Sequence, residues 1–394
     1  MQLLGVELWR VPLRLERPVA SADLVHHDRP VIYVRILSDR GEGWGESAAL
    51  ASGTSVDPPH AAVWSALVDQ LVPEIVERAR RHGGEVPSAD PPEGGTPPRR
   101  PSTDRARRSG EAALGMALED LQLRRRAVSL ASSWGAVEGT TVEVGTVLGI
   151  PADRDVGRLV DAAGIAAAAG YRRLRVKIAP GWDLVPLRAI RRALPGFPLQ
   201  ADANASYRWG GDGPDDVRRL FELDELSLTC LEQPLAPDDL AGHARLAVGT
   251  GIPIGLDESA DSAERLEAIL SIGACRVVCI KADRFGSLEG ARRAITRCRE
   301  HGVECFVGGF FETGLARAAN LALAAVPGCS LPGDLSDPAT YLRDPCGYPS
   351  VHRGRVSVPL DPGVGRSPDT STLEQLGASR RSIPVRDLGG CGGA

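Results

Sequence analysis

Hydrophobic and polar positions alternate with a period of two along the first fifty residues. "QLLGVELWRVPL" and "PVIYVRILSD" read as strands, "RGEG" as the turn after them, and "GWGESAAL" as a third strand. The spacing then lengthens to three and four over 58–81 and again over 110–126, where "EAALGMALEDLQLRRR" ends in basic residues. Both stretches read as amphipathic helices. Between them, 83–109 is rich in Pro, Gly, Arg and Ser and cannot furnish a packed core, so the pattern predicts a disordered insertion there, its arginines solvated. Residues 1–130 thus form an α+β module.

From about 140 the rhythm becomes strand, helix, strand, helix. The strand candidates are "TTVEVGTVLG", "RLRVKI", "PLQADAN", "LTCLEQ", "IPIGLDE", "RVVCIKA", "VECFVGG" and "GCSLPGD". Helical stretches such as 154–169, 237–248, 261–272, 287–301 and 314–326 lie between them. Eight such units predict an α/β fold, a (β/α)8-type parallel barrel over 131–355. Residues 356–394, with "RVSVPLDPGVG" and a Gly-rich tail, are too irregular for another unit. They are expected to pack on the N-terminal module and end in disorder.

Composition narrows the partners. The chain has 394 residues, 43% hydrophobic and 25% charged, with a formal net charge of −5, which provides no broad positive field for nucleic acid or an anionic membrane. Charged Glu7, Arg10, Arg14 and Glu16 interrupt the N-terminal apolar run, and no stretch reaches a membrane span's length, so a cytoplasmic protein acting on small solutes is expected. The eight cysteines contain no CxxC pair and mostly sit in apolar segments, where reduced thiols behave as small hydrophobes.

Polar residues recur at the ends of successive strands: Lys177, Asp202, Glu232, Asp257, Lys281 and Glu312, each about one barrel unit from the last. The C-terminal strand ends of a parallel barrel form one mouth, where active sites of this fold are built. Any one acid alone reads as a solvated strand end. Three in register, Asp202, Glu232 and Asp257, repel one another unless a cation sits between them. An all-oxygen set without His or Cys favours a hard ion, Mg²⁺ first and Mn²⁺ second. Lys177 and Lys281 flank the trio by one strand on either side, so two amines face a substrate carbon from opposite sides. Partial desolvation and neighbouring cations are expected to lower their pKa values into the range of a general base; the plainer role is neutralising the carboxylates. Arg175, two residues before Lys177, shares its face of the strand. A metal on a carboxylate with a base at its α-carbon suits abstraction of a weakly acidic proton.

The segments "GEGWGES" (41–47), "RVKIAPGWD" (175–183), "QADANASY" (200–207), "LEQPL" (231–235), "LDES" (256–259), "IKADR" (280–284), "GGFFETGLARAAN" (308–320) and "LPGD" (331–334) resemble the enolase superfamily, muconate-lactonizing subgroup. Within it they resemble most the o-succinylbenzoate synthase and N-acylamino acid racemase branch. The resemblance runs from about 3 to 365 and breaks at the Pro/Arg-rich insertion. It implies that Asp202, Glu232 and Asp257 bind Mg²⁺, that Lys177 and Lys281 are the acid/base pair, that Asn204, Glu258 and Glu312 orient lysines and ligands, and that the enzyme is a homo-oligomer. The N-terminal module becomes a capping domain whose loop near "RPVASADLVHHD" closes over substrate. Departures from the family pattern are this loop, Arg175 in place of a lysine, Ala282-Asp283 in place of Pro-Gly, and Phe310 in place of a methionine.

His26 and His27 read as solvent-facing loop residues; Trp44 and Glu46 lie near the end of a strand, where a structural role for Glu46 is equally open, and neither is read as catalytic. Racemisation and dehydration both remain open, because each begins with the same proton abstraction and both lysines are present. A cycloisomerase of muconate-like diacids and a non-catalytic binding protein that kept the barrel are the other readings.

Overall fold

The computed structural model describes residues 1–20, 25–87, 104–209 and 216–385. Strands β1 (Leu3–Ala20), β2 (Val25–Ser38) and β3 (Gly41–Ser47) form an antiparallel sheet. Its two faces sort by alternation. Leu8, Ile32, Val34 and Ile36 pack on Leu67, Leu71 and Leu121, while Trp9, Tyr33 and Trp44 join the core shared with the barrel. Gly43 and Gly45 lie against the helix Arg105–Arg125, where a Cβ would meet the Ala117 and Ala113 carbonyl oxygens at 2.1 and 2.0 Å, so only glycine allows this close packing.

The helical pattern over 58–81 is interrupted by a π turn at Leu67–Leu71 between His60–Ala66 and Val72–Arg81. Pro73 follows two residues after the π turn and has no N–H to donate to the preceding turn, which is where a ladder of hydrogen bonds widens. The next helix begins at Arg105, inside the stretch read as insertion. The Asp104 side chain caps it by accepting from the Ala106 and Arg107 amides. Residues 88–103 of that stretch lie outside the described residues.

The "TTVEVGTVLG" segment divides into β4 (Thr141–Glu143) and β5 (Thr146–Leu148). β5 opens a parallel sheet that continues through β6 (Leu174–Lys177), β7 (Leu199–Asp202), β8 (Cys230–Glu232), β9 (Ile254–Leu256), β10 (Val277–Ile280) and β11 (Glu304–Val307), in chain order. The eighth expected strand, "GCSLPGD", is not regular. It bonds to both neighbours all the same: the Leu331 and Asp334 amides donate to Cys305 and Val307 carbonyls, and the Gly145 amide donates to the Gly333 carbonyl. The barrel is therefore seven strands closed by an irregular segment.

β4 pairs antiparallel with β12 (Arg355–Ser357), which the "RVSVPL" pattern had left irregular. β13 (Ser379–Pro384) pairs with β1 from Gly5↔Pro384 to Arg10↔Ser379, adding a fourth strand to the N-terminal sheet. The tail from 386 lies outside the described residues. Among the described residues no helix is long and apolar enough to cross a membrane.

Candidate active site

Strand alternation builds the mouth. Arg175 and Lys177 share the inward face of β6, which Arg173 just before the strand continues, and Gln200 and Asp202 share that of β7. Asp202 Oδ2 accepts from Lys177 Nζ at 2.8 Å and Arg175 Nη1 at 3.1 Å, so Arg175 and Lys177 meet on one oxygen as their spacing predicted. Arg175 also donates to Glu232 Oε1 at 2.7 Å and pairs with Asp334 at 2.5 Å. Lys177 Nζ has a second acceptor, Asn204 Oδ1, at 2.8 Å. Asn204 stands in the left-handed region, φ +42°, a conformation that Asn tolerates better than most residues. Its amide nitrogen donates to Glu258 Oε1 at 3.1 Å.

Across the mouth, Lys281 Nζ donates to Asp257 Oδ2 at 2.9 Å and stands 4.2 Å from the centre of the Phe310 ring. Arg284 donates to Asp257 Oδ1 at 2.7 Å and, with its other nitrogens, to both Asp57 oxygens at 2.8 and 2.9 Å. Gln233, also left-handed at φ +39°, fixes the strand ends: its Oε1 accepts from the Asp257 and Ser259 amides.

Glu232 is fully buried between these groups. Burial pushes its carboxyl up to about 8; Arg175 pulls it back, and repulsion from Asp202 and Asp257 adds to the rise. Glu258 rises to about 7, through burial first and then the same two neighbours. Burial also works against Asp257, yet Arg284 and Lys281 hold its carboxyl well below the usual range. Lys281 departs from expectation: burial pushes its amine down, but the Asp257 charge reverses this and holds it above its ordinary value. The sequence pattern showed neighbouring cations without showing which carboxylate the amine would touch.

Asp202, Glu232 and Asp257 are brought together, with one difference from the expected trio. Among the described residues, the ligand atoms lying within 4.8 Å of one another belong to Glu232, Asp257 and Cys279. Asp202 is drawn instead toward Lys177 and Arg175. The Cys279 thiol is held well above its usual range, by burial first and then by Asp257, so it stays protonated and a poor ligand for a hard ion. Among the described residues Glu312 makes no hydrogen bond or ion pair with either lysine; it pairs with Arg317 at 2.8 Å and accepts from the Phe310 amide.

His26 also differs from expectation. It is half-buried, its ring 6.5 Å from that of Phe311, and its pKa is lowered by burial, then by Lys177 and Arg29. His27 is exposed. Residues 21–24 of the same loop lie outside the described residues. Glu46 is structural: its carboxyl accepts from the Thr313 and Ala316 amides and the Thr313 hydroxyl, capping the helix Gly314–Ala324.

Sequence reasoning missed Arg173, Gln200, Asp334, Arg284 and Asp57. Gln200 joins Arg173 to Glu232, and Asp334 takes both Arg173 and Arg175. Their signal was present, since Arg173 and Gln200 each precede a recognised site residue by two positions on the same strand face, and Asp334 ends the eighth segment.

Comparison with known proteins gives the chain a family. Residues 158–372 match the family described as Enolase C-terminal domain-like. The chain is 35% identical to o-succinylbenzoate synthase of Geobacillus kaustophilus over 374 residues, 94% of each chain. It is 34% identical to N-succinylamino acid racemase of an Amycolatopsis species, covering 95% of this chain and 98% of that one. A solved structure described as a probable mandelate racemase, from Alicyclobacillus acidocaldarius, superposes with a TM-score of 0.81 at 30% identity, over 98% of this chain and 100% of the other. The chain belongs to the Enolase C-terminal domain-like family and is an enolase-superfamily enzyme similar to o-succinylbenzoate synthases and N-succinylamino acid racemases.

Proposed function

We propose that the protein removes the proton α to the carboxylate of a small organic acid, the step shared by racemisation and by elimination of a β-hydroxyl. The supporting observation is the opposed placement of the lysines. Lys177 is bonded to Asp202 and Lys281 to Asp257, at the two ends of a carboxylate row with Glu232 between.

Asp202, Glu232 and Asp257 would hold a divalent cation, Mg²⁺ ahead of Mn²⁺. The fit rests on Glu232, whose carboxyl is driven up to about 8 by burial and by its two acidic neighbours, a repulsion that a hard cation relieves. Bound there, the ion would stabilise charge developing on the substrate carboxylate and draw the Asp257 charge away from Lys281.

The chain's own groups supply the proton chemistry. Lys177, aimed by Asp202 and Asn204, moves a proton on one face of the α-carbon, and Lys281, backed by the Phe310 ring, on the other. Racemisation uses both amines in turn. Dehydration uses one as base and then acid, the other remaining as a cation beside the intermediate. The substrate is a small-molecule carboxylate, the enzyme a homo-oligomer in the cytoplasm, and the similar proteins named for synthase and racemase activities support both outcomes on one scaffold.

Proton NMR of the Mg²⁺-loaded protein in D₂O tests this with N-succinyl and N-acetyl amino acids. Loss of the α-proton signal is expected, and EDTA should abolish it. If none of these acids exchanges, and the cyclohexene-carboxylate dehydration substrate is untouched by a protein shown to bind Mg²⁺, the reading is wrong.

A further inference from the structure

Proton abstraction leaves the rest of the substrate unassigned, and Asp283 lines a cleft that Lys281 also lines. Asp283 lies two residues beyond Lys281 in the short helical turn Ala282–Phe285. It shares the wall of one cleft with Lys281, Phe310 and Glu312, and of the adjoining cleft with Leu50 and Arg284. The other carboxylates lining these clefts have cationic partners: Asp57 with Arg284, Asp261 with Arg105 and Glu312 with Arg317, at 2.8, 2.6 and 2.8 Å. Among the described residues Asp283 has no ion pair, and its side chain accepts one hydrogen bond, from Ser109 Oγ at 3.0 Å. Arg29 reaches it only across space, because that guanidinium donates to the carbonyls of Pro30, Ala48, Phe310 and Phe311. Burial pushes the Asp283 carboxyl up to about 7 in spite of the Ser109 hydrogen bond. A carboxyl in this position lines the same cleft as Lys281 without the countercharge its neighbours possess.

We propose that Asp283 selects substrates whose side arm ends in an ammonium or guanidinium group, which supplies the missing ion-pair partner. The assignment rests on the proton-abstraction reading. Much of the discrimination comes from the wrong substrate: an apolar arm of equal length removes water from Asp283 and returns no hydrogen bond, the situation in which polar sites reject analogues most strongly. Ser109, on the helix Arg105–Arg125, holds one carboxylate oxygen and leaves the other for the cation.

The test compares α-proton exchange of N-succinyl-lysine with that of N-succinyl-norleucine, which has the same chain without the ammonium. With the native Mg²⁺-loaded protein, kcat/KM should favour the lysine derivative about tenfold or more, about 1.4 kcal/mol. Asp283→Asn and Asp283→Ser should each bring the ratio to within about threefold of one. Equal or reversed preference in the native protein overturns the assignment before any variant is made, as does a ratio that persists in either folded variant. Exchange of neither derivative, nor turnover of the dehydration substrate, instead removes the proton-abstraction reading beneath it.

Discussion

The two sides of the barrel mouth are built differently. On the Lys177 side every hydrogen-bond partner among the described residues comes from the barrel: Asp202, Asn204, Arg175, and Glu258 behind Asn204. On the Lys281 side the chain of contacts leaves the barrel. Asp257 is gripped by Arg284, Arg284 is clamped by Asp57 from the segment after β3, and the carbonyl of Phe310 is held by Arg29 from β2. One amine is therefore hydrogen-bonded by barrel groups, while the other depends more directly on how the N-terminal module docks.

The comparison can be broken most directly at the lysines. Lys177→Ala and Lys281→Ala should each remove exchange from one substrate hand by about 10³-fold, measured by NMR with separate enantiomers. Equal loss of both hands in each variant would leave the two sides indistinguishable. Arg29→Met should cost about 4 kcal/mol in urea unfolding, because it strands the Phe310, Phe311 and Ala48 carbonyls in a buried position. The residual activity of this variant should fall more for the Lys281 hand.

The barrel-made side has an acid weakness of its own. His243 Nε2 accepts from the Leu235 amide, just after Glu232 in the chain, and burial lowers its pKa to about 4. The unfolded imidazole binds a proton near 6.5 and the folded one does not, so this contribution is intact above pH 6.5 and is lost as pH falls toward 4. The loss amounts to about 3 kcal/mol. Thermal melts between pH 7 and 4.5 should show this decline, and His243→Gln should flatten it. The smallest effect is the most selective. Asp57→Asn should lower exchange about tenfold for the Lys281 hand only, since the Arg284 clamp acts through Asp257. An equal fall for both hands would show that docking sets the whole mouth.

Much of the barrel was legible because its unit is local: an apolar run, a polar strand end and an amphipathic helix, repeated. The strand-end residues followed from that repeat, and so did the meeting of Arg175 and Lys177 on Asp202. What escaped depends on partners distant in sequence. Arg284 gives no sign that it will reach both Asp57 and Asp257, and Arg173, although two positions before Arg175, gives none that it will bond both Gln200 and Asp334. The direction of the Lys281 shift failed for the same reason, since the balance between burial and Asp257 is set by one contact. The eighth segment was placed correctly but its regularity was not, because its Pro and Gly positions allow bonding to both neighbours without a continuous ladder.

The cap that Glu46 places on the helix Gly314–Ala324 joins groups 267 residues apart. At a synthesis rate of roughly 5–20 residues per second, Glu46 waits on the order of 13–50 s before Thr313 is made. Through that interval the N-terminal sheet also lacks β13, so the outer edge of β1 has open backbone groups. Such distant contacts lengthen the search for the native state, and the nascent chain should be most vulnerable to aggregation before its last strand arrives.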